Sequence, residues 1–150
     1  MANQDPQPEI YTTTHNFDAS AANVTAGTTN TVTVYTNQAN NEEVRIYAIE
    51  VLIQDEDGTP VTTLTDFDIA IGVGPNNVPS NSFNINGLNI KMQNGGEPLA
   101  FPCPILVLFQ QPLQITIEVM TTIATASNRE RTVKVNLIGE LAIQKVACRT

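Results

Sequence analysis

Residues 113–121, LQITIEVMT, decide the fold class of this chain. The odd-numbered positions from 113 to 119 carry Leu, Ile, Ile and Val, and the positions between them carry Gln, Thr and Glu. Because successive side chains of a strand point to opposite faces, this alternation predicts a β-strand with one buried and one solvated face.

The same period-2 pattern recurs along the chain between turn signals, with no stretch of helical periodicity. Val133, Val135, Leu137, Leu141 and Ile143 share one parity and are expected to be buried in one sheet face, with Gly139 in the same row marking a bend, a bulge or a close backbone approach. Further strands are expected at 9–17, 29–37, 44–54 (with Tyr47, Ile49, Val51 and Ile53 in one row), 65–72 and in a hairpin around Asn86-Gly87. The pattern predicts an all-β fold, an antiparallel two-sheet sandwich of about eight strands. A jelly roll is preferred, because the Cys and Trp pattern of antibody-like domains is missing.

The length of 150 residues predicts a single β-sandwich domain over 1–150, with residues 1–10 as a flexible N-terminal arm. The net charge of −8 is uneven: residues 1–68 hold 11 acids and one base, and residues 69–150 hold 4 acids and 6 bases. An acidic chain repels phosphate, so nucleic acid is not expected as the main partner. No apolar run is long enough for a membrane span, and the polar start, MANQDPQPEI, lacks a secretory signal, so cytosolic synthesis is expected.

No catalytic or cofactor-binding signature is present, and the protein is not expected to be an enzyme. His15 is the single histidine, and no ligand spacing joins it to Cys103 and Cys148. These cysteines are expected to be free thiols, with a mutual disulfide as the alternative. The acidic run from Asp55 to Gly58 predicts a hairpin turn; the alternative is a weak cation site at Asp55 and Asp57.

A short apolar run, residues 105–109 (ILVLF), follows Pro102 and Pro104 and precedes Pro112. A strand cannot place five successive side chains in one core, so Leu106 and Leu108 are expected on the face opposite Ile105, Val107 and Phe109. One interpretation is a central strand beneath its own loops; the other is an outer face that meets another subunit. On the second, the contact residues are Leu106 and Leu108, with Arg129 and Arg131 as charges at the rim.

The C-terminal half resembles small jelly-roll head-decoration and minor capsid proteins of bacterial viruses. In that family a proline-flanked apolar segment precedes an I-x-I-x-V strand, a polar loop follows, and a last strand ends in V-x-L-x-G. The matching residues are Ile115, Ile117, Val119, Val135, Leu137 and Gly139, and VRIYAIEVLIQDEDGTPV (44–61) is similar to the family's central strand and acidic turn. Residues 1–30 have no counterpart there.

The resemblance implies a structural virion protein, a capsid or head-decoration subunit made in the host cytoplasm. Its partners would be other copies of itself, in a trimer or other cyclic oligomer, and other capsid proteins. The alternative is a non-catalytic, carbohydrate-binding-like sandwich. That alternative is disfavoured by the absence of Trp and by the scattered Tyr residues, since sugar sites usually present aromatic platforms.

Overall fold

The fold is all-β in this computed structural model, which describes residues 5–60, 67–78, 83–84, 98–125 and 130–143. No helix occurs in these ranges, and the predicted all-β fold class is confirmed. The strands are β1 (Gln7–Asp18), β2 (Thr29–Thr36), β3 (Glu42–Gln54), β4 (Phe67–Val73), β5 (Asn76–Asn77), β6 (Phe83–Asn84), β7 (Leu99–Val107), β8 (Pro112–Val119) and β9 (Glu130–Ile143). Residues 7–10, expected in a flexible arm, belong to β1.

Two antiparallel sheets form the sandwich, and their strand order is that of a jelly roll. One sheet has the order β1-β9-β3-β7, and the other has β2-β8-β4-β5, with β6 also paired to β4. The pairing is nested: β1 pairs with β9, β2 with β8, β3 with β7, and β4 with the short strands between. A long hairpin rolled into two facing sheets gives this order, which agrees with the preferred topology.

The core lies between the two sheets and consists of the alternating apolar side chains. All four inward positions of β8 are fully buried, as are Val133, Val135 and Leu137 of β9. The prediction for β9 fails at its end, because Leu141 is half-buried and Ile143, the last strand residue, is exposed. The expected Asn86-Gly87 hairpin lies outside the described residues.

A β-bulge in β3 shifts the burial pattern and corrects the prediction for Tyr47. Ile46 pairs with Gly139, and Ala48 pairs with the adjacent Ile138, so Tyr47 is the extra residue. The buried residues of β3 therefore have even numbers before the bulge and odd numbers after it. Tyr47 is exposed and does not lie on the buried face with Ile49. Because the bulge reverses which positions face the core, apolar residues are needed at even positions before it and at odd positions after it.

Gly139 lies opposite this bulge, where the two backbones approach closely. A Cβ placed on Gly139 would overlap the carbonyl oxygen of Arg45 and would lie 3.0 Å from its carbonyl carbon. The close approach that the glycine predicts is therefore present, and no other residue type fits the site without a backbone shift.

Candidate subunit-contact surface

The apolar run in β7 separates into two faces, as its sequence predicts, up to the end of the strand. Ile105 and Val107 are buried in the core, whereas Leu106 is 45% exposed. Leu108 is 40% exposed, but Phe109, which was expected on the buried side, is 44% exposed. The alternation stops because β7 ends at Val107, and the next two residues lie in a turn.

β7 is an edge strand whose backbone is unsuited to accepting another strand. β7 pairs with β3 in two stretches. In β3 a single residue, Tyr47, lies between the two stretches, whereas in β7 four residues, 101–104 (FPCP), lie between them. Pro102 and Pro104 are exposed and have no N–H to donate. Contacts made by this edge must therefore come mainly from side chains.

Asn37 fixes the turn that carries Leu108 and Phe109. The turn closes through the Gln111 N–H, which donates to the Leu108 carbonyl at 3.0 Å, with Gln110 at φ 65°. The buried Asn37 accepts from Gln110 N–H at 2.7 Å through its backbone carbonyl, and its own N–H donates to the Gln111 carbonyl at 3.2 Å. The two apolar side chains are therefore presented from a constrained loop.

The Asn37 side chain continues this network into the neighbouring strands. Its Nδ2 donates to the carbonyls of Glu42 at 2.8 Å and Val107 at 3.2 Å, and its Oδ1 accepts from Ala39 N–H at 3.1 Å. The start of β3, the end of β7 and the turn are held together through one buried amide.

Leu106 points to the outer face of the four-stranded sheet, where other apolar side chains lie. The strand registers define a row across this face, here called the apolar row, which consists of Ile10, Ile138, Ala48 and Ala100. Ile10 is 62% exposed, and Tyr47 and Leu106 lie beside the row. The described outer face of the other sheet has no comparable side chain: its central positions are Thr31, Thr33, Ala70, Gly72, Gln114 and Thr116.

A charged cluster borders the apolar row on the side of Leu106. Arg45 Nε donates to Glu43 Oε1 at 2.6 Å, and Arg45 Nη1 lies 3.3 Å from Glu140 Oε1. The Tyr47 hydroxyl donates to the same Glu140 oxygen, and this hydrogen bond raises the pKa of Tyr47. Two carboxylates share one guanidinium, so the cluster keeps a net charge of −1.

Of the two arginines predicted at the rim, the one that the structure describes, Arg131, does not extend this surface. Arg129 lies outside the described residues, and Arg131 is 3% exposed. Burial lowers the pKa of Arg131, while the negative charges of Asp55 and Glu56 raise it. Arg131 is therefore a buried cation near the acidic turn, and it has no place in an exposed contact.

The acidic run forms a turn. Asp55 Oδ1 accepts from the N–H groups of Asp57 at 3.0 Å and Thr59 at 2.9 Å, and Gly58 adopts φ 76°. Within the described ranges, no group of three or more His, Cys, Asp or Glu side chains is arranged to hold a metal ion.

Among the described residues, the remaining candidates His15 and Cys103 belong to no group that could hold a metal ion. His15 packs edge-on against Phe17 with a centroid separation of 4.5 Å, and burial lowers its pKa. Cys103 is a free, exposed thiol in β7, and Cys148 lies outside the described residues. In the part of the chain that the structure describes, no helix is long and apolar enough to cross a membrane.

Sequence reasoning missed the apolar row and the Asn37 network. The sequence contained an indication of the row, because Ile138 and Ala48 are apolar residues at positions where the alternation of their strands predicts solvent-facing side chains. Asn37 had none, because an asparagine between strands predicts an ordinary turn residue.

Comparison with known proteins does not place the chain in a family. No protein-family model matches it, and no curated protein matches it in sequence. An insecticidal delta-endotoxin from Bacillus thuringiensis is similar in structure, with a TM-score of 0.40 and 13% identity over 79% of this chain. A family two carbohydrate esterase from Cellvibrio japonicus has a TM-score of 0.28 and 12% identity over 90% of this chain. The chain spans 19% of the toxin and 36% of the esterase, so both are much longer proteins of low similarity.

Proposed function

We propose that the protein is a structural virion subunit, a capsid or head-decoration protein that self-assembles on or in an icosahedral shell. The observation that carries the proposal is the exposed apolar surface at Leu106 and Leu108, on a jelly-roll sandwich. Contiguous exposed apolar side chains on a soluble domain mark contact sites or aggregation hazards. Pro102 and Pro104 disfavour uncontrolled strand addition, which supports a specific contact.

The proposed role is non-catalytic and needs no cofactor. The copies form a trimer or another cyclic oligomer and contact other capsid proteins, after synthesis in the host cytoplasm. The resemblance of residues 96–143 to small jelly-roll virion proteins supports this role, together with the nested strand order.

A carbohydrate-binding module is the second candidate, favoured by one feature of the other sheet. Its outer face presents hydroxyl and amide groups, with Thr31 Oγ1 2.8 Å from Thr116 Oγ1 and Gln114 Nε2 donating to Thr33 Oγ1 at 3.1 Å. These groups can bond to sugar hydroxyls, but no described aromatic side chain lies beside them in the register.

The single substitutions Leu106→Glu and Leu108→Glu are expected to weaken self-association without unfolding the protein. Each places a carboxylate where the proposed contact excludes water, so at least one should raise the dissociation constant by about tenfold or more. Light scattering after size-exclusion chromatography, over a concentration series up to high micromolar, measures the change.

Met120→Glu is the matched control, because Met120 is equally exposed but follows β8 at the far end of the sandwich. It should associate like the unmodified protein. A chain that stays monomeric at every concentration, and binds polysaccharide, would favour the carbohydrate module. Unfolding of both leucine variants in urea titrations would assign the segment to the core and remove the support for assembly.

A further inference from the structure

We infer that a second copy of this chain packs face to face on the outer face of the β1-β9-β3-β7 sheet, apolar row against apolar row. The inference rests on the proposed self-assembly and specifies its contact. The apolar row crosses all four strands, and Leu106 and Tyr47 lie beside it. It is therefore a continuous strip rather than a set of scattered side chains.

Only one of the two rows that flank the apolar row contains a cation, Arg45. On one side lie Pro8, Glu140, Arg45 and Leu106, and on the other lie Thr12, Asn136 and Glu50. Neighbouring rows are about 6.7 Å apart on β1 and β9, where their members are two residues apart along the strand.

Two two-fold axes can stack the apolar row on itself, and both place Arg45, which already pairs with Glu43 and Glu140 of its own copy, opposite a carboxylate of the second copy. If the axis is perpendicular to the strands, each flanking row of one copy faces the opposite flanking row of the other. Arg45 then faces Glu50 of the second copy. If the axis runs parallel to the strands between β9 and β3, Arg45 faces Glu140 of the second copy. Both are isologous contacts of a closed pair.

The size of the face agrees with a specific but modest interface. Three strands about 4.8 Å apart with five rows of outward side chains, together with two rows on β7, cover roughly 550 Å² per copy. A total of about 1,100 Å² is near the lower limit for specific protein interfaces, about 1,000–1,200 Å². The pair should therefore form reversibly and depend on protein concentration.

The outer face of the other sheet is a poor competitor for this contact. Its central rows contain threonine, glutamine, alanine and glycine, and Asp68 lies directly opposite Glu118. Stacking that face on a second copy would bury hydroxyl groups and add like charges.

The test compares Ile138→Glu with Thr31→Glu, which add the same charge to the two opposite outer faces. Sedimentation equilibrium should show a wild-type dimer, at least a tenfold higher dissociation constant for Ile138→Glu, and no change for Thr31→Glu. An Ile138→Glu variant that dimerises like the wild type overturns the inference.

Cross-linking tests the same contact without adding a charge. In a Cys103→Ser, Cys148→Ser background, Ile138→Cys should form covalent dimers with a short bismaleimide, and Thr31→Cys should not. Equal yields for the two positions would overturn the inference even if Ile138→Glu failed to fold.

The outcomes separate this inference from the proposed function. If Leu108→Glu prevents assembly while Ile138→Glu does not, the function stands and the face-to-face contact is wrong. A trimer as the sole assembled species would also exclude the face-to-face pair and leave the proposed function standing. A chain that remains monomeric overturns both.

Discussion

Gly139→Ala is expected to lower the free energy of unfolding by about 3 kcal/mol or more, the upper end of what overpacking costs. The added methyl group would overlap the carbonyl oxygen of Arg45 and would lie 3.1 Å from the Cα of Ile46. Both obstacles are backbone atoms of the bulged strand, so no side-chain rotation can relieve the overlap. Urea unfolding followed by circular dichroism measures the loss.

Gly72→Ala is the matched control, since Gly72 also lies within a strand and its added Cβ would meet nothing closer than 3.6 Å. It should be neutral or slightly stabilising, because alanine loses less conformational freedom on folding than glycine does. Equal losses for the two variants would show that the backbones at the bulge are not in close contact.

Asn37→Asp is expected to destabilise the protein by about 3–5 kcal/mol at neutral pH, the usual cost of an uncompensated buried charge. The amide Nδ2 donates to the carbonyls of Glu42 and Val107, and a carboxylate oxygen in its place would face two acceptors. Burial and this repulsion should raise the pKa of the new carboxyl group in the folded state above its unfolded value near 3.9.

The sign of the pH dependence follows from proton linkage. Between the two pKa values the folded variant binds more protons than the unfolded one, so its stability falls as pH rises. The deficit relative to the unmodified protein should therefore be larger at pH 8 than at pH 5. Asn40→Asp, in the exposed part of the same loop, should show no such trend. A deficit independent of pH would indicate that the carboxylate finds donors or solvent.

The fold class could be read from local patterns because burial follows parity in most strands. Phe67, Ile69 and Ile71 are buried as the alternation in β4 predicts, and β8 follows the same rule throughout. The preferred jelly roll agrees with the strand order, although parity reports only which face of a strand is buried. Which strands become neighbours depends on contacts between distant segments, which a local pattern does not contain.

The errors occur where the regular alternation stops. Tyr47 was assigned to the wrong face because an extra residue in one strand reverses parity, and a bulge needs no special residue type at its own position. Phe109 is predicted on the face of Ile105 and Val107, but β7 ends at Val107, whose carbonyl accepts a hydrogen bond from the Asn37 side chain. Arg131 is predicted at the rim as a charge that orients the copies, yet it is one of the buried, inward-facing positions of β9.

The exposed apolar surface could be predicted in part from the sequence. Leu106 and Leu108 are exposed, as the second interpretation of the apolar run requires, because five successive apolar residues of a strand cannot all be buried in one core. The apolar row was not foreseen, because it joins Ile10 to Ala100 through two intervening strands. Only the register of a folded sheet brings such residues together.

The nested pairing of the strands also determines when this protein can fold during its synthesis. Gln7 in β1 pairs with Leu141 in β9, and β3 lies between β9 and β7, so the four-stranded sheet lacks a central strand until β9 has left the ribosome. Pairings between such distant segments form slowly, because a long loop must be closed before any contact offsets its entropy. Nascent chains should therefore leave the four-stranded sheet open until β9 has been synthesised. Any contact made by the outer face of this sheet must then follow the synthesis of β9.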